Sequence, residues 1–128
     1  MDGKKAFVIF GATGDLARTM LFPSLYFLDA DDLLPKDLII VGSGRSAMAE
    51  SEFVEQLHKA VAERTGGQFS EAAWSRFAKR ISYVAGDATK DGVYKEIAGK
   101  VRGMDEIVFY LAVSPDFFGA IAQHLKAA

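Results

Sequence analysis

Short apolar runs alternate along the chain with longer segments in which apolar residues recur at helical spacing. There are four such runs, rich in Val, Ile, Phe and Tyr: Ala6–Phe10, Leu38–Val41, Ile81–Ala85 and Ile107–Ala112. Each run is nearly continuous in apolar residues, which is typical of strands that are covered on both faces. The pattern therefore predicts four buried strands.

The segments between and after these runs are predicted to be helices. They are Asp15 to about Asp29, Glu50–Arg64, Ser70–Lys79, Gly92–Val101 and Asp116–Ala128. Strands that alternate with helices predict a parallel sheet with right-handed crossovers, and so an α/β fold with helices on both faces. Four strands are only part of a doubly wound sheet, so we expect an incomplete doubly wound fold.

The junction of the first strand and the first helix has the pattern G-x-x-G-x-x-A, formed by Gly11, Gly14 and Ala17. In this context a glycine-rich turn binds a dinucleotide, with a sharp turn at the first glycine and close approach of the pyrophosphate at the second. The alanine keeps the helix near the sheet, and amides at the helix start donate to phosphate oxygens. The motif predicts a Rossmann-like dinucleotide-binding domain over residues 1–128.

Two polar residues of this turn extend the prediction. The hydroxyl of Thr13 can add a hydrogen bond to phosphate. Asp15 has two interpretations, of which we favour a helix cap or first-turn acid. In the other interpretation its carboxylate holds the loop through backbone amides.

The end of the second strand predicts which dinucleotide is bound. NAD-binding domains usually carry an acid here for the adenosine ribose, whereas this chain continues from Gly44 to Arg45 and Ser46. A guanidinium can pair with a 2′-phosphate and the serine hydroxyl can join it. The sequence therefore favours NADP, with NAD use left open. The alternative for Arg45 is a solvated surface arginine.

The third and fourth strands contribute further candidates. Asp87, at the end of the third strand, either accepts a hydrogen bond from the adenine amino group or forms an Asx turn. The fourth strand is expected beside the first, which places the ligand at the switch between them. Residues 112–115 would then line the nicotinamide half of the crevice, unless Pro115 simply begins the next helix.

Composition and charge exclude several classes of protein. A net charge of −2 argues against a general nucleic-acid binder, and the absence of cysteine excludes disulfides and thiolate metal sites. The apolar opening is too short for a membrane span or signal core, so we expect a cytoplasmic protein. His58 and His124 are predicted to be solvated on helix faces without an acid partner. We therefore expect no catalytic base and no metal ligands in this chain.

Three segments together resemble the amino-terminal part of the glucose-6-phosphate dehydrogenase family: FGATGDLARTMLFPSLYFL, IVGSGRSAMAESEF and VFYLAVSPDFFGAIAQHL. The resemblance implies oxidation of glucose 6-phosphate at C1 to the lactone, with hydride transfer to NADP, at the entry to the pentose phosphate pathway. The residues that it implies for cofactor binding are Gly11, Ala12, Thr13, Gly14, Asp15, Leu16, Ala17, Arg18, Arg45, Asp87 and Ala88, to which the residue argument above adds Ser46.

The sequence departs from this family in two respects. Met20 stands where the family commonly has a lysine. The family's histidine base, its sugar-phosphate lysines and its substrate domain lie downstream, so we expect a fragment that is inactive alone and homo-oligomeric when complete. The alternative function is an atypical short-chain dehydrogenase-like module that binds or senses NADP.

Overall fold

A computed structural model describes residues 4–87, 90–112 and 118–127, with side chains through residue 123. Strands and helices alternate along these residues, as predicted. Their bounds are β1 Lys5–Phe10, a π-helical segment Ala17–Leu21, α1 Phe22–Ala30, β2 Ile39–Gly44, α2 Glu50–Thr65, a 3₁₀ turn Gly66–Gln68, α3 Glu71–Ala78, β3 Ile81–Ala85, α4 Asp91–Lys100, β4 Glu106–Leu111 and α5 Phe118–Ala127.

The strands form one parallel sheet in the order β3-β2-β1-β4. Val8 in β1 lies opposite Val41 on one side and Phe109 on the other. The predicted α/β class and the predicted position of the fourth strand beside the first are confirmed. The strand order places the switch point between β1 and β4, where parallel α/β sheets bind ligands at the carboxyl ends of their strands.

Apolar side chains pack on both faces of the sheet. One cluster joins the sheet to α1, α2 and α3 through residues such as Phe22, Phe53 and Phe77. The other joins it to α4 and α5 through residues such as Tyr94 and Ile121. Burial of both faces fixes the register of the central strands, because a shift of one residue would exchange the sets facing each cluster.

At the β3 edge of the sheet, a partly buried ion pair joins a strand to a helix. Arg80, just before β3, lies 2.9 Å from the carboxylate of Asp29 at the end of α1. Its guanidinium also donates to the carbonyls of Pro35, Lys36 and Leu38. A single side chain therefore connects α1, the α1–β2 loop and the start of β3 at the amino ends of the strands.

Several boundaries differ from the prediction. The first helix opens with a π-helical segment rather than a regular α-helix, and β2 continues past Val41 to Gly44. The fourth strand is not covered on both faces, since Val108, Phe109 and Tyr110 are exposed at the edge of the described sheet. Within the predicted nicotinamide-side loop, residues 113–115 lie outside the described residues.

Candidate cofactor-binding cleft

The turn after β1 is built around two glycines. Gly11 has a φ of 79°, a left-handed conformation that favours glycine. At Gly14 a Cβ would lie 3.3 Å from the carbonyl oxygen of Gly11, so the absence of a side chain keeps the turn tight and its surface open. The chain leaves the strand sharply and enters the helix, as the motif predicts.

The amides of this turn divide into two groups. Those of Gly11 and Ala12 donate to the carbonyl of Ser43, at 2.9 and 3.0 Å, and that of Gly14 donates to Gly11. Among the backbone hydrogen bonds of residues 4–87, none is donated by the amides of Thr13, Asp15 or Leu16. These three amides lie at the start of the first helix and are donors available to an anion.

The end of β2 supports the turn through two further glycines that the sequence analysis did not assign. A Cβ at Gly42 would lie 2.9 Å from Cζ of Phe53, and one at Gly44 would lie 2.8 Å from Oγ1 of Thr13. Neither position has room for a side chain. The sequence signal was G-S-G at the end of a strand, since glycine in a strand often marks a close backbone approach.

A cavity of about 200 Å³ lies at the carboxyl ends of the strands. It brings together five predicted site residues from three separate parts of the chain, with Ala112 at the end of β4 completing its wall. The lining residues are Phe10, Gly11, Thr13, Gly14, Ser43, Gly44, Arg45, Gly86, Asp87 and Ala112. The cleft therefore carries one cation and one acid at separate positions on its wall.

The other predicted site residues that the structure describes are not among those lining this cavity. Ala12 and Ala17 are buried in the core, so only their backbone can face a ligand. Leu16 and Ser46 are exposed beside the cleft, and Ala88 lies outside the described residues.

Asp15 and Arg18 bind each other. Nη2 of Arg18 donates to Oδ1 of Asp15 at 2.7 Å, three residues apart on the first helical turn. Asp15 is thus a first-turn acid, but within the described chain its carboxylate partner is a guanidinium rather than a backbone amide. A first-turn acid is one form of the favoured interpretation, and the alternative, in which the carboxylate holds backbone amides, stays a prediction. The Nε atom of Arg18 is buried without a hydrogen-bond partner.

Asp87 lies half-buried after β3, where its backbone carbonyl accepts from the amide of Lys90 at 2.9 Å. This bond is made by the backbone, whereas an Asx turn uses the aspartate side chain, so the Asx turn stays a prediction. The pKa of the nearby Tyr94 phenol is raised, first by burial and second by the negative charge of the Asp87 carboxylate. Asp87 faces the cleft, so an adenine contact stays a prediction.

A larger cavity, of about 440 Å³, lies at the amino ends of β2 and β3. Its wall includes the paired Asp29 and Arg80 together with Lys36 and Lys79. It is the bigger opening, but it is remote from the glycine turn and from the switch point between β1 and β4. Position in the sheet therefore favours the smaller cleft as the functional site.

His58 departs from the sequence prediction. Its Nε2 atom lies 2.8 Å from a carboxylate oxygen of Glu71, and its ring packs edge-on against Phe69 and Trp74. The expectation that this histidine lacks an acid partner is wrong. It joins α2 to α3 away from the cleft, and the side chain of His124 lies outside the described residues.

Two further observations concern metals and membranes. In the described part of the chain, no three His, Asp or Glu side chains gather as a metal site would require. None of the helices described in residues 4–87, 90–112 and 118–127 is long and apolar enough to cross a bilayer.

The sheet order and the glycine turn at the carboxyl end of β1 define a Rossmann-like α/β domain. Residues 8–128 match the family described as "Glucose-6-phosphate dehydrogenase, NAD binding domain". The chain belongs to this family. The match favours the first of the two functions that the sequence left open.

Individual proteins agree with the family match. The chain is 34% identical to glucose-6-phosphate 1-dehydrogenase of Leuconostoc mesenteroides, over 97% of this chain and 26% of that protein. The crystal structure of the Mycobacterium avium enzyme superposes with a TM-score of 0.88 at 32% identity, covering 98% of this chain and 27% of that one. A glucose-6-phosphate dehydrogenase in complex with its substrate glucose-6-phosphate gives 0.86 at 28% identity, covering 98% and 28%.

The chain thus spans about a quarter of the length of the curated relatives it matches.

Proposed function

We propose that this chain is the NADP-binding part of a glucose-6-phosphate 1-dehydrogenase, which oxidises glucose 6-phosphate at C1 to the lactone. One observation carries the proposal. Arg45 and Thr13 line one cleft at the carboxyl ends of the strands, and the amide of Thr13, like those of Asp15 and Leu16 just after it, donates no backbone hydrogen bond within the described chain. Amides of this kind bind a pyrophosphate, and a guanidinium binds a 2′-phosphate.

The residues of the cleft fit such a coenzyme in three places. The amides of Thr13, Asp15 and Leu16, with the Thr13 hydroxyl, would hold the pyrophosphate. Arg45 and Ser46 would hold the 2′-phosphate, because β2 is followed by a cation and a hydroxyl rather than by an acid. The coenzyme, when bound, accepts the hydride that the sugar loses.

The remaining contacts follow from the strand order. Asp87, which lines the cleft, would meet the adenine edge beyond β2. Ala88, outside the described residues, belongs to the same proposed contact. Phe10 and Ala112, whose backbones are joined by a 2.9 Å hydrogen bond, mark the nicotinamide side at the switch point. The proposal also includes NAD as a possible second coenzyme. It further includes a cytoplasmic location and a homo-oligomeric whole protein that binds glucose 6-phosphate.

Cofactor titration of the 128-residue chain tests the 2′-phosphate site. NADP should bind more tightly than NAD and raise the thermal midpoint more at equal concentration. Arg45→Ala should weaken NADP by about 1.5–3 kcal/mol, because hydrogen bonds to a charged group are lost. The affinity for NAD should not change, since NAD lacks the 2′-phosphate.

A matched control is Arg102→Ala, which removes an exposed arginine from the turn between α4 and β4. This variant should bind both coenzymes like the unaltered chain. An equal loss of NADP and NAD affinity in Arg45→Ala would contradict the assignment of Arg45 to the 2′-phosphate.

A further inference from the structure

The loop after β2 carries Arg45 and Ser46 on an exposed surface. No side chain caps the helix that follows, whose N-cap residue is Ala49. The loop nevertheless has a fixed anchor in the neighbouring strand. The hydroxyl of Tyr83, in β3, donates to the carbonyl oxygen of Ser46 at 2.7 Å.

Tyr83 is itself fixed by a ring contact, by a backbone hydrogen bond and by burial. Its ring stacks on Phe53 with centroids 4.4 Å apart and an interplanar angle of 24°. Its amide donates to a carboxylate oxygen of Glu50, the first residue of α2, at 3.2 Å. Only 7% of the residue is exposed, so its hydroxyl has one fixed direction.

Gly44 connects this anchor with the phosphate turn. A Cβ on Gly44 would lie 3.0 Å from the hydroxyl of Tyr83 and 2.8 Å from Oγ1 of Thr13. The tyrosine hydroxyl and the threonine side chain therefore flank the same glycine. In the proposed function, the pyrophosphate end and the 2′-phosphate end of the cleft would meet at this point.

We infer that Tyr83 is a positioning residue that sets the preference for NADP over NAD by holding the loop of Arg45 and Ser46. This inference rests on the proposed function. The hydrogen bond from Tyr83 occupies the carbonyl oxygen of Ser46, which would repel a phosphate if it turned into the cleft. The same hydrogen bond reduces the conformational freedom of the loop before the coenzyme binds, so the loop loses less conformational entropy on binding. Burial raises the pKa of the phenol, which keeps the hydroxyl protonated and able to donate.

Tyr83→Phe removes the hydroxyl and retains the ring that stacks on Phe53. We expect the dissociation constant for NADP to rise about three- to tenfold, the value of one lost hydrogen bond, and that for NAD to change by less than about twofold. Both constants are measured by titration on the same preparation. Their ratio is then insensitive to a fraction of unfolded protein.

The matched control is Tyr26→Phe. Tyr26 is also buried, and its hydroxyl accepts from the amide of Ser70 at 2.9 Å and donates to the Ser70 carbonyl at 3.3 Å, between α1 and the start of α3. This variant loses a buried hydroxyl of the same kind outside the cleft. We expect it to lower the thermal midpoint and to leave the ratio of the two dissociation constants unchanged.

A double-mutant cycle separates positioning from general stability. If Tyr83 acts through the loop, Tyr83→Phe should have little further effect on NADP affinity once Arg45 is alanine. An unchanged NADP/NAD ratio in Tyr83→Phe, beside a clear preference in the unaltered chain, would overturn this inference alone. No preference in the unaltered chain would overturn the proposed function and this inference together.

Discussion

Gly44 shows how a single hydrogen in place of a methyl group shapes the cleft. Gly44→Ala would place a carbon 2.8 Å from Thr13 Oγ1 and 3.0 Å from the Tyr83 hydroxyl, so both side chains would have to move. We expect the free energy of unfolding to fall by about 1–3 kcal/mol, as for other overpacked positions. We also expect weaker binding of NADP. Urea unfolding and cofactor titration measure the two effects.

Gly99→Ala is the matched control for this substitution. Gly99 lies within α4, and a Cβ there would meet nothing within 4 Å. Alanine should stabilise the helix by up to about 1 kcal/mol because it lowers the conformational entropy lost on folding. Destabilisation of both variants to the same extent would show that crowding at Gly44 is not the cause.

Individual residues also mark how far sequence alone could locate the site. The glycine turn and Arg45 were predictable, because strand, glycine spacing and helix start are read directly from local order. The pairing of Asp15 with Arg18, and of His58 with Glu71, was not. These contacts depend on which way side chains point after the helices have packed, and residue spacing does not fix that direction.

At the scale of elements, apolar runs located every strand to within a few residues. The apolar pattern did not predict the extension of β2 to Gly44, because Gly42, Ser43 and Gly44 have no large apolar side chain, although all three are buried. The π-helical segment over Ala17–Leu21 escaped it as well. Helical periodicity does not distinguish a π-helical turn from an α-helical turn over five residues.

Strand β4 differs from the other strands because several of its apolar side chains are exposed. It pairs with β1, and its exposed fractions of 47% at Val108 and 38% at Phe109 place apolar side chains at the edge of the described sheet. An apolar sheet edge is a template for pairing with another chain. We expect the 128-residue chain to self-associate as its concentration rises, and Val108→Lys to reduce this association in sedimentation velocity.

Leu33→Lys provides the comparison for this prediction. Leu33 is more exposed than Val108, at 67%, and lies in the loop between α1 and β2. The same change from an apolar side chain to a charge there should leave the association unchanged. If both lysine variants dissociate the chain equally, net charge rather than the sheet edge controls the association.

At the scale of the whole molecule, the described part of the cleft offers few groups that could act as a base. Oxidation of a sugar hydroxyl requires a base near the reacting carbon, within hydrogen-bond reach of the proton to be removed. Among the described residues that line the cleft, the titratable side chains are Arg45 and Asp87, which the proposed function assigns to the adenosine half. The side of the cleft proposed for the nicotinamide is lined by Phe10 and Ala112, neither of which can accept a proton through its side chain.

We therefore expect the 128-residue chain to bind NADP without oxidising glucose 6-phosphate. Formation of reduced nicotinamide, followed by absorbance at saturating NADP and sugar phosphate, should not exceed the rate without protein. The Leuconostoc mesenteroides enzyme, of which this chain matches 26%, is the positive control under the same conditions. Turnover that tracks the 128-residue chain through purification and disappears in Arg45→Ala at low NADP would show that these residues already hold a complete active site.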